Sequence, residues 1–249
     1  MYAARSPGQP PKHTASRCSP IGDCPTLSLQ VPPRHRTLAV RRRSVPSRTL
    51  LSTLSAELIG TFLFITVGGA AAISDAQTGG AVGLIGISAT YGLAIAALAT
   101  AFSPISGAHF NPAVTVAFWL VGKIRTIEGI RYIAVQIVGA ILAGLALKLA
   151  FGGFDGEPSV YGFAGGATPL PSMGPGTPLL IGIEAVLTAV VVYAVLLAAA
   201  DARAPQIGAL YVGGAVTACM LAGNALSGAG MNPARWFGPA LVYGDLSYA

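Results

Sequence analysis

Two copies of one short motif contain the polar residues best placed to do chemistry in this apolar chain. The segment Ser106-Gly-Ala-His-Phe-Asn-Pro-Ala113 recurs as Ser227-Gly-Ala-Gly-Met-Asn-Pro-Ala234. In each copy an Asn, which caps helices well, precedes a Pro, which is tolerated at the first helical position. We therefore predict helix starts at Asn111-Pro112-Ala113 and Asn232-Pro233-Ala234. A helix start has free N–H groups and a partial positive charge, so both starts must face a polar cavity rather than hydrocarbon.

The two Asn side chains predict a passage for neutral molecules. If each side-chain oxygen caps its own helix, its amide NH₂ group is free to donate into the cavity, and water there offers its oxygen to both copies. Water held in this way cannot easily relay a proton, and two positive helix ends repel cations. A lone Asn-Pro pair most simply indicates a turn or a cap. Two copies in a repeat favour the functional interpretation.

Charged residues within the apolar sequence also indicate function, because a charge inside a membrane is costly unless it has a polar partner or a role. Arg235 is the third residue of the second predicted half-helix, where a cation opposes the helix dipole. We predict a pore-lining charge filter there, with an interfacial arginine as the alternative. Glu57 and Glu184 lie near the start of apolar spans and need donors, so we assign them to bracing the loops before each Asn; a proton relay is the alternative. His109 is more simply a hydrogen-bonded loop residue than a metal ligand, and we predict no metal site.

The composition indicates which elements must position these residues. The chain is 53% hydrophobic and only 10% charged, which excludes an ordinary soluble domain. Five apolar stretches are each long enough to cross a bilayer of roughly 30 Å: 54–73, 81–102, 132–150, 179–200 and 206–226. Two shorter segments begin at the Asn-Pro motifs and can reach about half as far, which predicts re-entrant half-helices: 112–122 and 233–243.

The two motifs belong to a longer internal repeat. Glu57-xxx-Thr61 recurs as Glu184-xxx-Thr188, and an odd number of spans separates equivalent positions, which forces the second copy into an inverted orientation. The predicted fold class is an all-α membrane protein, with repeat one at 54–150 and repeat two at 179–249. Gly92 and Gly213 lie in the middle of matching second helices, where we predict a close helix crossing.

Charge divides the chain into a tail and an apolar domain. The first fifty residues hold nine of the fifteen Lys and Arg residues and one of the nine acidic residues, and we predict a disordered tail at 1–50. An organelle transit peptide or a misassigned start codon would look similar. The rest, 51–249, is slightly acidic, which excludes a nucleic-acid-binding face. Arg41, Arg42 and Arg43 before the first span predict a cytoplasmic N-terminus, and we expect a multi-pass protein of the plasma (cell inner) membrane.

The two Asn-Pro-Ala motifs, at 111–113 and 232–234, resemble those of the aquaporin or major intrinsic protein family, which carries two such boxes. The resemblance extends from about Leu54 to Leu241 and leaves the tail uncovered. It implies six tilted helices and two half-helices in each protomer, a homotetramer with one pore per subunit, and passive flow of water or small neutral solutes across a lipid bilayer. It implies neither a cofactor nor enzymatic activity.

The same resemblance places a narrow selectivity filter, formed by an aromatic residue and an arginine together with two further positions. Water-selective members usually carry a Phe and a His at two of these positions, where this chain has Tyr91 and Met220. Glycerol-conducting members usually carry an Asp and a Lys after the box arginine, where this chain has Trp236 and Ala240. The implied filter residues are Tyr91, Met220, Ala229 and Arg235.

Three hypotheses follow. The first is a passive water channel, which is not an enzyme. The second is a facilitator for small neutral solutes such as glycerol, hydrogen peroxide or ammonia, because Met220 and Ala229 supply little hydrogen bonding. The third is a nonconducting truncated membrane protein, because no apolar run for a sixth span follows the second half-helix before Ala249. A coupled transporter is disfavoured, because the chain offers few titratable groups at the midplane.

Overall fold

The computed structural model describes residues 49–151, 178–200 and 207–244, and apolar sequence forms helices over most of these ranges. Within these ranges there are seven helices and no strand. Five of them, α1, α2, α4, α5 and α6, are long and apolar enough to cross a membrane. The helices are α1 (Leu50–Gln77), α2 (Gly83–Phe102), α3 (Pro112–Leu120), α4 (Thr126–Ala150), α5 (Pro178–Ala200), α6 (Gly208–Ser227) and α7 (Pro233–Tyr243).

The helix ends follow local capping chemistry. The N-cap of α1 is Thr49, whose hydroxyl oxygen accepts from the Ser52 N–H at 3.1 Å, so this helix begins before the predicted span at 54. Likewise α4 begins at Thr126 rather than 132, because the Glu128 carboxylate accepts from the N-cap N–H of Arg125 and from its guanidinium. Runs of apolar residues indicate only the membrane-buried part of such helices, since their capped ends are polar.

Among the long helices, the two repeats meet mainly along one pair, α2 and α6. In this arrangement α2 packs against α6, α1 against α4 and α2, and α5 against α6. At the crossing of α2 and α6, a Cβ atom added to Gly92 would lie 2.6 Å from the Gly213 carbonyl oxygen, and one added to Gly213 would lie 2.5 Å from the Gly92 carbonyl oxygen. The two backbones therefore touch where the sequence predicted a close approach, and neither position has room for a side chain.

The short helices α3 and α7 occupy the space between these longer helices. Helix α3 contacts α4 and α5, whereas α7 contacts α4 and α1, and the two short helices also contact each other. Both begin at the residues that the motif predicted, Pro112 and Pro233. The predicted tail 1–50 lies outside the described residues, except for its last two positions.

Candidate functional site

The two half-helices begin with the same cap. The Asn111 side-chain oxygen accepts from the Ala113 N–H at 2.8 Å, and the Asn232 side-chain oxygen accepts from the Ala234 and Arg235 N–H groups at 3.0 and 3.2 Å. Both Asn residues have extended backbone conformations, with φ of −154° and −142°, and a proline follows each. The predicted helix starts are therefore confirmed, because an extended Asn before Pro is the arrangement that an N-cap requires.

The two caps also hold each other across the repeats. The Asn111 Nδ2 atom donates to the Met231 carbonyl at 3.0 Å, and the Asn232 Nδ2 atom donates to the Phe110 carbonyl at 2.8 Å. The expectation that both amide groups are wholly free is thus wrong for one of the two hydrogens on each amide. The buried carbonyl oxygen before each Asn needs a donor, and the opposite Asn supplies it. The second hydrogen of each amide remains available for a molecule in the cavity.

The loops before the two Asn residues share an unusual backbone. Ala108 and Phe110 in the first loop have φ of 53° and 49°, and Ala229 and Met231 in the second have φ of 46° and 50°. Residues with side chains rarely adopt this left-handed conformation, so surrounding contacts must stabilise it. The alternating conformation turns successive peptide groups in different directions, so N–H groups can reach a buried acid while carbonyl groups reach Asn or Arg side chains.

Glu57 supplies the contacts that the first loop needs. This carboxylate is fully buried on α1, where Oε1 accepts from the Ser106 hydroxyl at 2.6 Å and the His109 N–H at 3.0 Å. Its Oε2 atom accepts from the Phe110 N–H at 2.8 Å and from the Gln136 side-chain amide at 2.9 Å. Gln136 was not identified from the sequence. An amide side chain in the middle of the apolar α4 could have indicated it, because buried amides need hydrogen-bond partners.

Glu184 makes the equivalent contacts in the second repeat. Its Oε1 atom accepts from the Ser227 hydroxyl at 2.5 Å and the Gly230 N–H at 2.9 Å, and its Oε2 atom accepts from the Met231 N–H at 2.9 Å. The side chain is only partly buried, in contrast to Glu57. Both acids therefore lie against the loops for which the sequence assigned them a bracing role, and within the described residues Glu184 has one donor fewer than Glu57.

His109 is held inside the first repeat. Its ring Nδ1 atom lies 3.1 Å from the Thr115 hydroxyl, and its ring packs 4.4 Å from Phe118 and 5.3 Å from Tyr132, measured between centroids. The prediction of a hydrogen-bonded loop residue is confirmed. These contacts fix the ring against α3 and α4.

Arg235 is a buried cation beside the cavity. It is 2% exposed, and its Nη1 atom donates to the Ala229 and Gly230 carbonyl oxygens at 2.9 and 3.1 Å. The guanidinium carbon lies 4.4 Å from the centroid of the Tyr91 ring, which is a cation–π contact. No carboxylate in the described part of the chain lies within 4.0 Å of this side chain. Among the described residues, its positive charge is therefore compensated by carbonyl dipoles and a ring face rather than by a carboxylate.

One cavity of about 40 Å³ connects the caps with this arginine. It has room for a few water molecules. Asn111, Asn232, Tyr91, Met220 and Arg235 all line it, so the structure brings together both Asn-Pro-Ala motifs and three of the four implied filter residues. The fourth, Ala229, contributes its carbonyl to Arg235 rather than its side chain to the wall. Most of the remaining wall is apolar: Phe64, Ile95, Ala108, Phe110, Val114, Val191, Val195, Val212, Val216 and Met231.

Two residues of the cavity wall, Arg235 and Tyr91, carry buried polar atoms that lack a partner among the described residues. In the described structure, the Arg235 Nε and Nη2 atoms and the Tyr91 hydroxyl have no hydrogen-bond partner. Such groups in a mostly apolar wall can bind a small polar molecule and release it again, because few hydrogen bonds hold it.

Long apolar helices, two opposed half-helices and a narrow cavity lined by their caps define an all-helical integral membrane protein with an inverted repeat. Comparison with known proteins assigns it more closely. The family model of the major intrinsic proteins matches residues 44–249, and the chain belongs to this family.

Curated relatives support the assignment. Aquaporin NIP1-2 of Oryza sativa subsp. japonica is 40% identical over 190 residues, which cover 76% of this chain and 61% of that protein. Aquaporin TIP4-4 of Zea mays is 38% identical over 198 residues, which cover 76% of this chain and 74% of that protein. The chain thus spans less than two thirds of the first relative and nearly three quarters of the second.

A solved structure shares the fold. The X-ray structure of the aquaglyceroporin from Plasmodium falciparum superposes with a TM-score of 0.63 over 78% of this chain and 81% of that chain, at 20% sequence identity. The aquaporin-like arrangement of helices predicted from the sequence is therefore present in this protein.

Proposed function

We propose that this protein is a passive transmembrane channel for water and not an enzyme. The observation that carries the proposal is a cavity in which the caps of two opposed half-helices, Asn111 and Asn232, lie with the buried cation Arg235. The relatives named aquaporins support the same conclusion.

The geometry supports flow of water without flow of charge. Each cap retains one amide hydrogen for the cavity, and both half-helix N-termini present positive dipole ends to it. A water molecule between two donors uses its oxygen as acceptor toward both, which interrupts a chain of proton-relaying hydrogen bonds. The desolvated Arg235 adds a full positive charge, so cations meet a further barrier.

We assign the remaining roles within a channel domain at residues 51–249. Tyr91, Met220 and Arg235, with the Ala229 carbonyl holding the arginine, form the selectivity filter. In the two loops, Glu57 and Glu184 brace the backbone that presents the Asn residues. At the crossing of α2 and α6, Gly92 and Gly213 allow the repeats to meet.

Stopped-flow light scattering on proteoliposomes tests the water channel directly. The full chain is reconstituted at known density, and vesicle shrinkage is followed after an osmotic step. We expect water permeability well above that of empty vesicles, with a weak temperature dependence. Permeability equal to that of empty vesicles would reject the proposal.

A second candidate is a facilitator for small neutral solutes such as glycerol, hydrogen peroxide or ammonia. It is favoured by Met220, which is 1% exposed and lines the cavity with a side chain that is only a weak hydrogen-bond acceptor. A Met220→His variant adds a ring nitrogen there and should reduce uptake of the larger solutes more than water flow. Equal uptake by the variant and the unchanged protein would count against this candidate.

We further propose a homotetramer in the plasma membrane with a cytoplasmic N-terminus. Apolar side chains on the outer faces of the helices, including Leu93, Val138 and Tyr193, suit contact with lipid or with neighbouring protomers. Lys123 and Arg125 lie between α3 and α4, and the positive-inside rule assigns this end to the cytoplasm. Sedimentation in detergent tests the tetramer, and protease protection of an N-terminal tag in membrane vesicles tests the orientation.

A further inference from the structure

The Tyr91 ring occupies the space that a side chain at position 68 would fill. A Cβ atom added to Gly68 on α1 would lie 2.0 Å from Tyr91 Cε1 and 2.3 Å from both Cδ1 and Cζ. Favourable contacts between carbon atoms lie at about 3.5–4.0 Å. Only glycine at this position lets the ring lie directly against the backbone of α1.

This ring also forms one wall of the cavity. It is fully buried, its face lies 4.4 Å from the Arg235 guanidinium, and its edge packs against Phe64 with 5.4 Å between centroids. With α1 behind it and Arg235 in front of it, the ring can yield to a bulkier residue 68 only by moving toward the arginine. The distance between ring and guanidinium therefore depends on the absence of a side chain on Gly68.

A second glycine on the same helix accommodates a second ring. A Cβ atom added to Gly60 would lie 2.0 Å from Cε1 of Phe110, another residue of the cavity wall. The equivalent positions of repeat two, counted from Glu184, are Leu187 and Val195 on α5, which carry side chains. Space for aromatic rings is thus a feature of repeat one and not a consequence of the repeat.

The polar atoms beside the ring indicate that a permeating molecule binds at this level. Within the described residues, the Tyr91 hydroxyl and the Arg235 Nε and Nη2 atoms lack hydrogen-bond partners, although both residues are at least 98% buried and line the cavity. Buried polar groups are normally paired, so these atoms are suited to bind the molecule that passes.

We propose that Gly68 is a positioning residue that determines which solutes pass. Because it has no side chain, the Tyr91 ring can lie against α1 instead of being pushed toward Arg235. This inference rests on the proposed channel function and adds a residue that does not itself touch the permeating molecule. A methyl group at position 68 would move the ring toward the guanidinium and narrow the passage. Molecules larger than water would then be slowed most.

Transport by four proteins tests the inference: the unchanged chain, Gly68→Ala, Tyr91→Val and the double variant. Water permeability is measured by stopped-flow shrinkage, and urea and glycerol permeabilities by reswelling. Because one extra methyl group in a packed site changes discrimination by about tenfold, we expect Gly68→Ala to lower the solute-to-water permeability ratio by about that factor. If the unchanged chain passes water alone, water permeability is the quantity that falls. The double variant should match Tyr91→Val, because valine leaves room for the methyl group.

Gly214→Ala is the matched control, because an added Cβ on this exposed α6 glycine meets no atom within 4 Å. It should transport like the unchanged chain. Thermal denaturation of the same four proteins detects the contact between residue 68 and the Tyr91 ring independently of transport. Gly68→Ala should lower the melting temperature when residue 91 is Tyr and not when it is Val.

Two results would overturn the inference. The first is an unchanged permeability ratio and unchanged water flow in Gly68→Ala, and the second is a loss that persists in the double variant, which would indicate disturbed helix packing instead. Failure of the channel proposal has a different signature, since vesicles with the unchanged chain would then be no more permeable than empty ones. That result would also reject the role of Gly68 in solute selectivity. The denaturation measurements would still decide whether the Tyr91 ring packs against Gly68.

Discussion

The substitution Glu57→Gln tests whether the acid on α1 stabilises the first loop. The carboxylate receives four hydrogen bonds, two on each oxygen, and it is fully buried. An amide of the same shape keeps one acceptor and replaces the other oxygen by a donor. The question is which of the four donors then loses its partner.

In either orientation of the new amide, one backbone N–H group is left without an acceptor. If its NH₂ group replaces Oε1, Ser106 can rotate its hydroxyl to accept, but the His109 N–H is left without an acceptor. If it replaces Oε2, Gln136 can turn its amide, but the Phe110 N–H is left unpaired. One unsatisfied buried N–H costs about 1–3 kcal/mol, so Glu57→Gln should lower the free energy of unfolding by about that amount. By the same count, Glu57→Ala strands both backbone N–H groups and should cost about 2–6 kcal/mol.

The second repeat supplies the matched comparison. Glu184→Gln likewise leaves either the Gly230 or the Met231 N–H unpaired, but this side chain is only partly buried, so water can replace the lost acceptor. We expect a smaller loss than for Glu57→Gln. Unfolding in mixed detergent micelles with increasing dodecyl sulfate, followed by circular dichroism, gives the free-energy differences on one scale.

The order of the variants by loss of unfolding free energy tests whether Glu57 stabilises the first loop. The loss should increase from Glu184→Gln through Glu57→Gln to Glu57→Ala. Water permeability of reconstituted protein should fall in the same order, because Asn111 directly follows the loop that Glu57 contacts and Asn232 directly follows the loop that Glu184 contacts. If both Glu57 variants unfold within about 0.5 kcal/mol of the unchanged chain, as surface substitutions usually do, the bracing role is refuted.

Three further predictions concern other parts of the structure. Arg235→Val removes the only Arg or Lys among the described residues that line the cavity, so dissipation of a pH gradient across vesicles should speed up while water still flows; an unchanged proton leak would contradict the charge barrier. Gly213→Ala puts a Cβ atom 2.5 Å from the Gly92 carbonyl oxygen and should cost about 1–3 kcal/mol in the micelle assay, and no loss would show that α2 and α6 can separate freely. Lys148→Met removes the ammonium that donates to the Val242 carbonyl at 3.2 Å near the C-terminal end of α7; the expected loss is about 0.3–1 kcal/mol, and a pronounced dependence on salt should accompany it.

Features that depend on neighbours along the chain could be predicted from the sequence. Helices α3 and α7 begin at Pro112 and Pro233 as expected, because an Asn-Pro pair contains both the cap and the first helical residue. The five long helices were recognisable as apolar runs, since a span of hydrocarbon demands a minimum length of apolar residues. Errors at their ends, as at Thr126, arose because polar caps extend the helices past the apolar part.

Features that join distant segments could be predicted only in outline. The sequence indicated that Asn111 and Asn232 face one another, but it assigned both amide groups entirely to the cavity, whereas each amide also donates to a carbonyl of the other loop. It indicated that Glu57 needs donors, but it did not identify Gln136, which lies 79 residues away on α4. A hydrogen-bond deficit can be read locally, whereas the partner that satisfies it depends on packing.

By itself, the order of residues determined that this chain builds membrane-spanning helices, an inverted repeat and two capped half-helices, because periodicity, capping and apolar length act over a few turns of chain. Only the tertiary structure decided how wide the passage is and what lines it. Tyr91 lies against Gly68 and stacks on Arg235, and these three residues come from three different helices. Their spacing is a property of helix packing, in which backbone approach and ring position adjust together, and no local pattern in the sequence specifies it.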